Sequence, residues 1–169
     1  MRHTKKTIAA LFVLSAATAG AAETAIDGRA ALDRIKKLAG TWEGHVATPD
    51  GPPGVVRYEL TAGGNSVVEK LFPGTDHEML TVYHLDRGAL LATHYCAMGN
   101  QPLMKLTRAT AEELQFGFAG GTNLDPAKDI HIHQGRLRFV EEGRLESEWD
   151  VFDGPKKTTS NRFFLARKP

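Results

Sequence analysis

The sequence predicts an all-β fold: a single antiparallel up-and-down β-barrel of about ten strands, preceded by one short N-terminal helix. Three observations carry this reading. From Trp42 onward, apolar and polar residues alternate with a period of two. Clusters of Gly, Pro, Asn and Asp break the alternation at short intervals, as at Pro49-Asp50-Gly51-Pro52-Pro53-Gly54, Gly63-Gly64-Asn65 and Asp153-Gly154-Pro155. No helical stripe falls between the strands to act as a crossover, so sequential strands must pair antiparallel. Closing such a meander removes its two unpaired edges, which makes a barrel its natural end point.

The helix is placed by Asp27 as its cap and by Ala31, Leu32, Ile35, Leu38 and Ala39 at helical spacing, with Gly40 where a left-handed C-terminal cap belongs. The strands follow at 42–47, 55–60, 66–72, 78–85, 89–97, 103–109, 114–118, 130–140, 144–152 and 158–166. A three-residue loop at Asp86–Gly88 would pair Leu85 with Ala89. It would gather Leu80, Val82, His84, Leu90, Ala92, His94 and Cys96 on one mostly apolar, inward face. A loop at Glu141–Gly143 would pair Val140 with Arg144. That groups His131, His133, Leu137, Phe139, Leu145, Ser147, Trp149 and Val151 on one face and sets Trp149 across from Gly135. A one-residue slip would invert either set.

Ahead of the helix, Arg2, Lys5 and Lys6 precede an apolar run from Ile8 to Ala17 and the small residues Ala19-Gly20-Ala21-Ala22. This is the layout of a cleaved secretory signal peptide at 1–22, and the run is too short to span a bilayer. The domain is then 23–169, periplasmic or secreted, with no membrane anchor after cleavage. It retains 18 Lys/Arg against 20 Asp/Glu. That balance lacks the clustered basic face nucleic acid requires, so no nucleic-acid partner is expected. Cys96 is the only cysteine, which rules out an intramolecular disulfide.

The stretch Leu38-Ala39-Gly40-Thr41-Trp42-Glu43-Gly44, after a short helix and opening the first strand, resembles the G-x-W opening of calycin barrels: lipocalins, fatty-acid-binding proteins and nitrobindin-like domains. The stretches Thr93–Pro102 and His131-Ile132-His133, with Trp149 beyond, look like a bacterial exported calycin-like family of unknown function. The resemblance implies that Trp42 plugs the barrel base beneath an arginine of the last strand, Arg162 or Arg167. It does not carry over fatty-acid binding, because the Arg-x-Tyr pair of those proteins reads Arg162-Phe163-Phe164 here. Nor does it favour haem, since no histidine follows His133.

The residues that could carry chemistry are His94-x-Cys96 and His131-x-His133. Positions i and i+2 share a strand face roughly 6–7 Å apart. Two imidazoles at that spacing can hold one zinc, with a thiolate as a third ligand. The competing reading is a set of buried polar residues bonded to one another, to tyrosine or to water. Nucleophilic attack by Cys96 would need a histidine of another strand as base. Met104, Leu106, Phe116 and Phe118 are core or cavity lining, and Glu146, Glu148 and Asp150 belong to a solvated outer face. The expectation is a barrel binding a small, mostly apolar ligand in its lumen, with His84, His94, Cys96, Met104, Phe116, His131, His133, Trp149 and Arg162 at the site. The alternatives are an isomerase- or cyclase-type enzyme with a histidine as acid–base, and a zinc- or haem-binding barrel. Catalytic residues, cofactors and ligand identity stay open.

Overall fold

The computed structural model describes residues 27–141 and 143–169. The signal segment expected at 1–22 lies outside the described residues. Helix α1 (Gly28–Lys36) precedes ten strands: β1 (Gly40–Val46), β2 (Pro53–Thr61), β3 (Ser66–Leu71), β4 (Met79–Asp86), β5 (Ala89–Tyr95), β6 (Gln101–Ala109), β7 (Glu113–Thr122), β8 (Ile130–Glu141), β9 (Arg144–Asp153) and β10 (Lys156–Arg167). Each strand pairs antiparallel with its sequence neighbours, and β10 closes on β1 from Trp42↔Arg167 to Val46↔Phe163. The predicted all-β barrel is the observed architecture.

Asp27 caps α1 by accepting from the N–H groups of Arg29 and Ala30 at 2.9 and 3.0 Å. The helix stops earlier than the expected cap at Gly40, with Lys37 as its last cap residue. Gly40 instead takes φ +128° to swing the chain into β1, a conformation that favours glycine. Ala31, Leu32 and Ile35 bury their side chains against the barrel base. Gly28 sits so close to the backbone of Gly88–Leu90 that a Cβ would collide there, which fixes α1 on the β4–β5 turn.

That turn corrects the predicted β4 register. It has two residues, Arg87 and Gly88, both with positive φ, and it pairs Asp86 with Ala89 and Leu85 with Leu90. Turns of this kind match the twist of the strands they join, and a three-residue loop loses to it here. The β4 face is therefore inverted. Thr81 and Tyr83 are buried, whereas Leu80, Val82 and His84 are partly exposed. The β5 half of the prediction, Leu90, Ala92 and His94, is inward.

In the β8–β9 hairpin the predicted central register is observed, with Gly135 opposite Trp149. A Cβ on Gly135 would run into the indole. The ends differ, because irregularities at Val140 and at His133 let Glu141 pair with Arg144 and Ile132 with Val151. β7 and β8 pair only from Glu113↔Arg138 to Gly117↔Gln134, so their other halves separate near Phe118 and His133.

Packing divides the barrel into two halves. The α1 end is filled by Leu32, Ile35, Leu38, Trp42, Leu114, Leu137, Leu145 and Leu165, all buried. Met104, Leu106 and Phe116 continue this core, as does Tyr83, tilted against Phe116 with centroids 5.7 Å apart. The opposite end is hollow.

Candidate functional site

The hollow end holds a cavity of about 280 Å³. Its wall is mainly apolar: Val46, Leu71, Phe72, Met79, Ile132, Val151 and Phe163, with Ala97 and Met98. The polar contributions come from His94, Cys96, His131, Asn161 and the Trp149 indole. Among the described residues, no Arg, Lys, Asp or Glu belongs to this wall. Met98 of this wall is 56% exposed, an apolar side chain open to solvent. Asn100 ties the loop after β5 to β8 by donating to the carbonyl of Ile130 at 2.8 Å.

His94, Cys96, His131 and Trp149 thus meet at one cavity, although β5 and β8 are three strands apart. Inward side chains of non-adjacent strands converge across a closed barrel. The remaining expected site residues lie elsewhere. His84 points outward with the inverted β4 face. Met104 and Phe116 are packed core in the filled half. Arg162 is half exposed outside the barrel, with its Nε 3.3 Å from Glu148. His133 stays out of the cavity wall, because the irregularity in β8 turns it between the rings of Phe118 and Phe152, at 4.8 and 4.2 Å.

His131 and His133 are bonded to each other, Nε2 to Nδ1 at 3.0 Å, and His131 Nδ1 lies 2.9 Å from the carbonyl of Asp129. A carbonyl only accepts, so His131 carries its proton on Nδ1 and its Nε2 accepts from His133. Burial, then the neighbouring His131, lower the pKa of His133, against a smaller opposing effect of Asp150. Among the described residues no three His, Cys, Asp or Glu side chains gather as a metal site. The mutual hydrogen bond between the two imidazoles is one of the two arrangements open for the H-x-H pair.

Behind His94 lies a polar network that the sequence reading passed over. Glu69 is fully buried and accepts from the hydroxyls of Tyr58 at 2.8 Å and Tyr83 at 2.9 Å. Thr81, the cross-strand neighbour of Glu69 and also buried, lies 3.0 Å from His94 Nδ1. Desolvation raises the pKa of Glu69, and the hydroxyls around it, those of Tyr58 and Tyr83 foremost, oppose that rise. Both tyrosines are pushed well above their ordinary value, by burial first and then by Glu69. Burial alone lowers His94 to about 4, so its imidazole is neutral near pH 7. The signal was present in the sequence: the alternation of β3 places Glu69 on the face of Val67 and Leu71.

The outer acids of β9 are less solvated than expected, because Asp150 is buried and the Glu148 side chain is mostly covered by its ion pairs. Glu148 pairs with Arg136 at 2.5 Å, and Asp150 with Lys157 at 2.7 Å, along an open groove across β6 to β10. No helix among the described residues is long and apolar enough to cross a membrane. The chain matches no family model and no curated protein.

Proposed function

We propose that this chain is an exported, calycin-like barrel that binds a small, mostly apolar ligand in its lumen. The observation that carries the reading is the 280 Å³ apolar cavity with His94, His131 and Trp149 in its wall. An apolar cavity of about 150 Å³ is enough to hold benzene, so this one suits a bicyclic ring system or a short branched chain. Apolar walls with a few placed polar groups are the usual composition of a small-ligand site. Calycin kinship is supported by the G-x-W opening after α1, and by Arg167 of β10 lying over Trp42. Export to the periplasm or medium is supported by the basic and apolar N-terminal pattern. The near-neutral charge balance supports a partner that is neither nucleic acid nor an anionic membrane. Native mass spectrometry of protein recovered from the periplasm tests the reading. An organic adduct that 2-naphthol displaces is the expected result. A bare protein mass together with no uptake of 2-naphthol would overturn it.

A second reading, an acid–base enzyme of isomerase or cyclase type, is favoured by one observation. His131 and His133 form a bonded pair whose proton positions are set by the Asp129 carbonyl. If it holds, wild type and the His133→Gln variant should retain ligands of equal mass but different chromatographic mobility. Identical retained ligands would remove this reading.

A further inference from the structure

The lumen cavity offers a ligand no positive charge. Its polar groups are the imidazoles of His94 and His131, the Cys96 thiol, the Asn161 amide and the Trp149 indole, and among the described residues no Arg or Lys joins them. Of these groups, only the imidazoles could become cations. Their surroundings oppose it. His131 has each ring nitrogen engaged, Nδ1 with the Asp129 carbonyl at 2.9 Å and Nε2 with His133 Nδ1 at 3.0 Å. A second proton, placed on Nε2, would remove the acceptor that His133 uses. His94 is buried, and burial lowers its pKa to about 4. Glu69, fully buried on the inner face of β3, adds an acid rather than a base to the barrel interior.

An anion in the lumen would therefore lose its hydration and meet no counter-charge. An ionised carboxylate in such a place is costly, and it neutralises by taking up a proton instead. A neutral ring system carries no such cost. It gains apolar contact, here with Phe72 and Phe163, whose rings are tilted by 48° with centroids 5.6 Å apart. Met79 and Met98 add flexible thioethers that adapt to its outline.

We propose that the lumen takes its ligand only in uncharged form: it binds neutral apolar ring compounds and admits a carboxylic acid only together with its proton. This rests on the lumen-binding reading and narrows its ligand class. Titration calorimetry of the exported protein with 2-naphthol, 2-naphthamide and 2-naphthoate tests it, since the amide and the carboxylate have nearly the same shape and differ in charge. At pH 7.5 the amide and the naphthol should bind about a hundredfold or more tightly than the carboxylate, whose acid form is scarce that far above a carboxyl pKa of about 4. Between pH 5.5 and 7.5 the affinity for 2-naphthoate should fall about tenfold per pH unit, with one proton taken up per molecule bound, while that for 2-naphthamide stays level. Asn161 is exposed and lines the wall opposite Trp149 on the neighbouring strand, so Asn161→Arg supplies a cation without disturbing the core. It should raise the affinity for 2-naphthoate at pH 7.5 by about tenfold or more and abolish the proton uptake. Binding of 2-naphthoate as tight as that of 2-naphthamide at pH 7.5, with no proton taken up, would overturn the charge rule and leave lumen binding standing. An unchanged affinity for 2-naphthoate in Asn161→Arg would overturn the missing counter-charge as its cause. Binding of none of the three compounds would remove the lumen reading and this inference with it.

Discussion

Arg167 lies over Trp42, its guanidinium carbon 4.5 Å from the centre of the indole, and ties β10 to the segment that follows α1. Its two terminal nitrogens donate to the carbonyls of Ala39 and Lys37, and the Trp42 indole N–H donates to Leu38 at 2.7 Å. The arginine therefore satisfies carbonyls that the end of the helix leaves without partners, while its cation rests on an aromatic face.

Trp42 is 3% exposed, so its truncation removes a large buried surface from the plugged end of the barrel. Trp42→Ala should cost roughly 3–5 kcal/mol, as buried aromatic truncations do. Arg162→Ala should cost less than about 1 kcal/mol, because Arg162 makes only a half-exposed ion pair with Glu148. Arg167→Ala should fall between the two. Urea denaturation midpoints check the order. Equal effects of the two arginine substitutions would contradict the assignment of Arg167 to the base.

The network around Glu69 predicts coupling. Tyr83→Phe removes one of the two tyrosine hydroxyls bonded to a fully buried carboxyl group and should cost about 1–3 kcal/mol. Glu69→Gln changes the acceptor at the same junction. The double variant should therefore depart from additivity by at least about 0.5 kcal/mol, the lower end for groups sharing one network. Additive losses in a double-mutant cycle would show that the hydroxyls are not acting on the same acceptor.

Stability should fall with acid through His94. Its folded pKa, about 4, lies below its ordinary value of 6.5. The unfolded chain therefore takes up a proton first as pH drops. The contribution of His94 is complete above about pH 6.5, declines as pH falls toward 4 and levels off below that. The total is on the order of 3 kcal/mol. Glu69 acts in the opposite sense, since its folded pKa is raised, so the histidine part is read from the difference between wild type and His94→Leu. Denaturation midpoints from pH 7.5 to 4 should converge with those of the variant as the pH is lowered. Parallel curves would mean that His94 is not buried neutral.

The strand pattern was legible because alternation and turn residues are local properties of the chain. Each of the ten strands lies where its run of alternation stands, from Gly40–Val46 to Lys156–Arg167. Facing was legible only where a residue pins the register, as Gly135 does by making room for Trp149. It failed at β4, where the choice between a two- and a three-residue turn decides whether His84 or Tyr83 is inside. The chemistry at Arg87-Gly88 does not announce that choice. His133 left the wall for a related reason, because an extra residue in a strand shifts direction without a sequence signature of its own. Cavity and core could not be separated for Met104 and Phe116, because that depends on how the far wall packs. The Glu69 network was readable in principle, as an acid alternating with Val67 and Leu71. Its meaning appears only when Tyr58 and Tyr83 come in from neighbouring strands.

Cys96 offers a direct probe of the cavity mouth. It is half buried, lies just past β5, and shares the wall with His94, Ala97 and Met98. Its backbone N–H is held by the carbonyl of Asn100 at 3.1 Å, so the thiol sits on a tied loop rather than a free one. A small reagent such as methyl methanethiosulfonate should reach it in the folded protein, whereas a bulky maleimide should react markedly more slowly until denaturant is added. Saturating 2-naphthol should slow the small reagent further, because ligand and thiol compete for the same wall. Cys96→Ser should shift the denaturation midpoint little, since the thiol makes no hydrogen bond among the described side chains and is not part of the packed core. Labelling rates for the two reagents, each with and without 2-naphthol, check the placement. Equal rates for the small and bulky reagents would put Cys96 on the open surface. A rate for the small reagent indifferent to bound 2-naphthol would place the ligand somewhere other than beside His94 and Trp149.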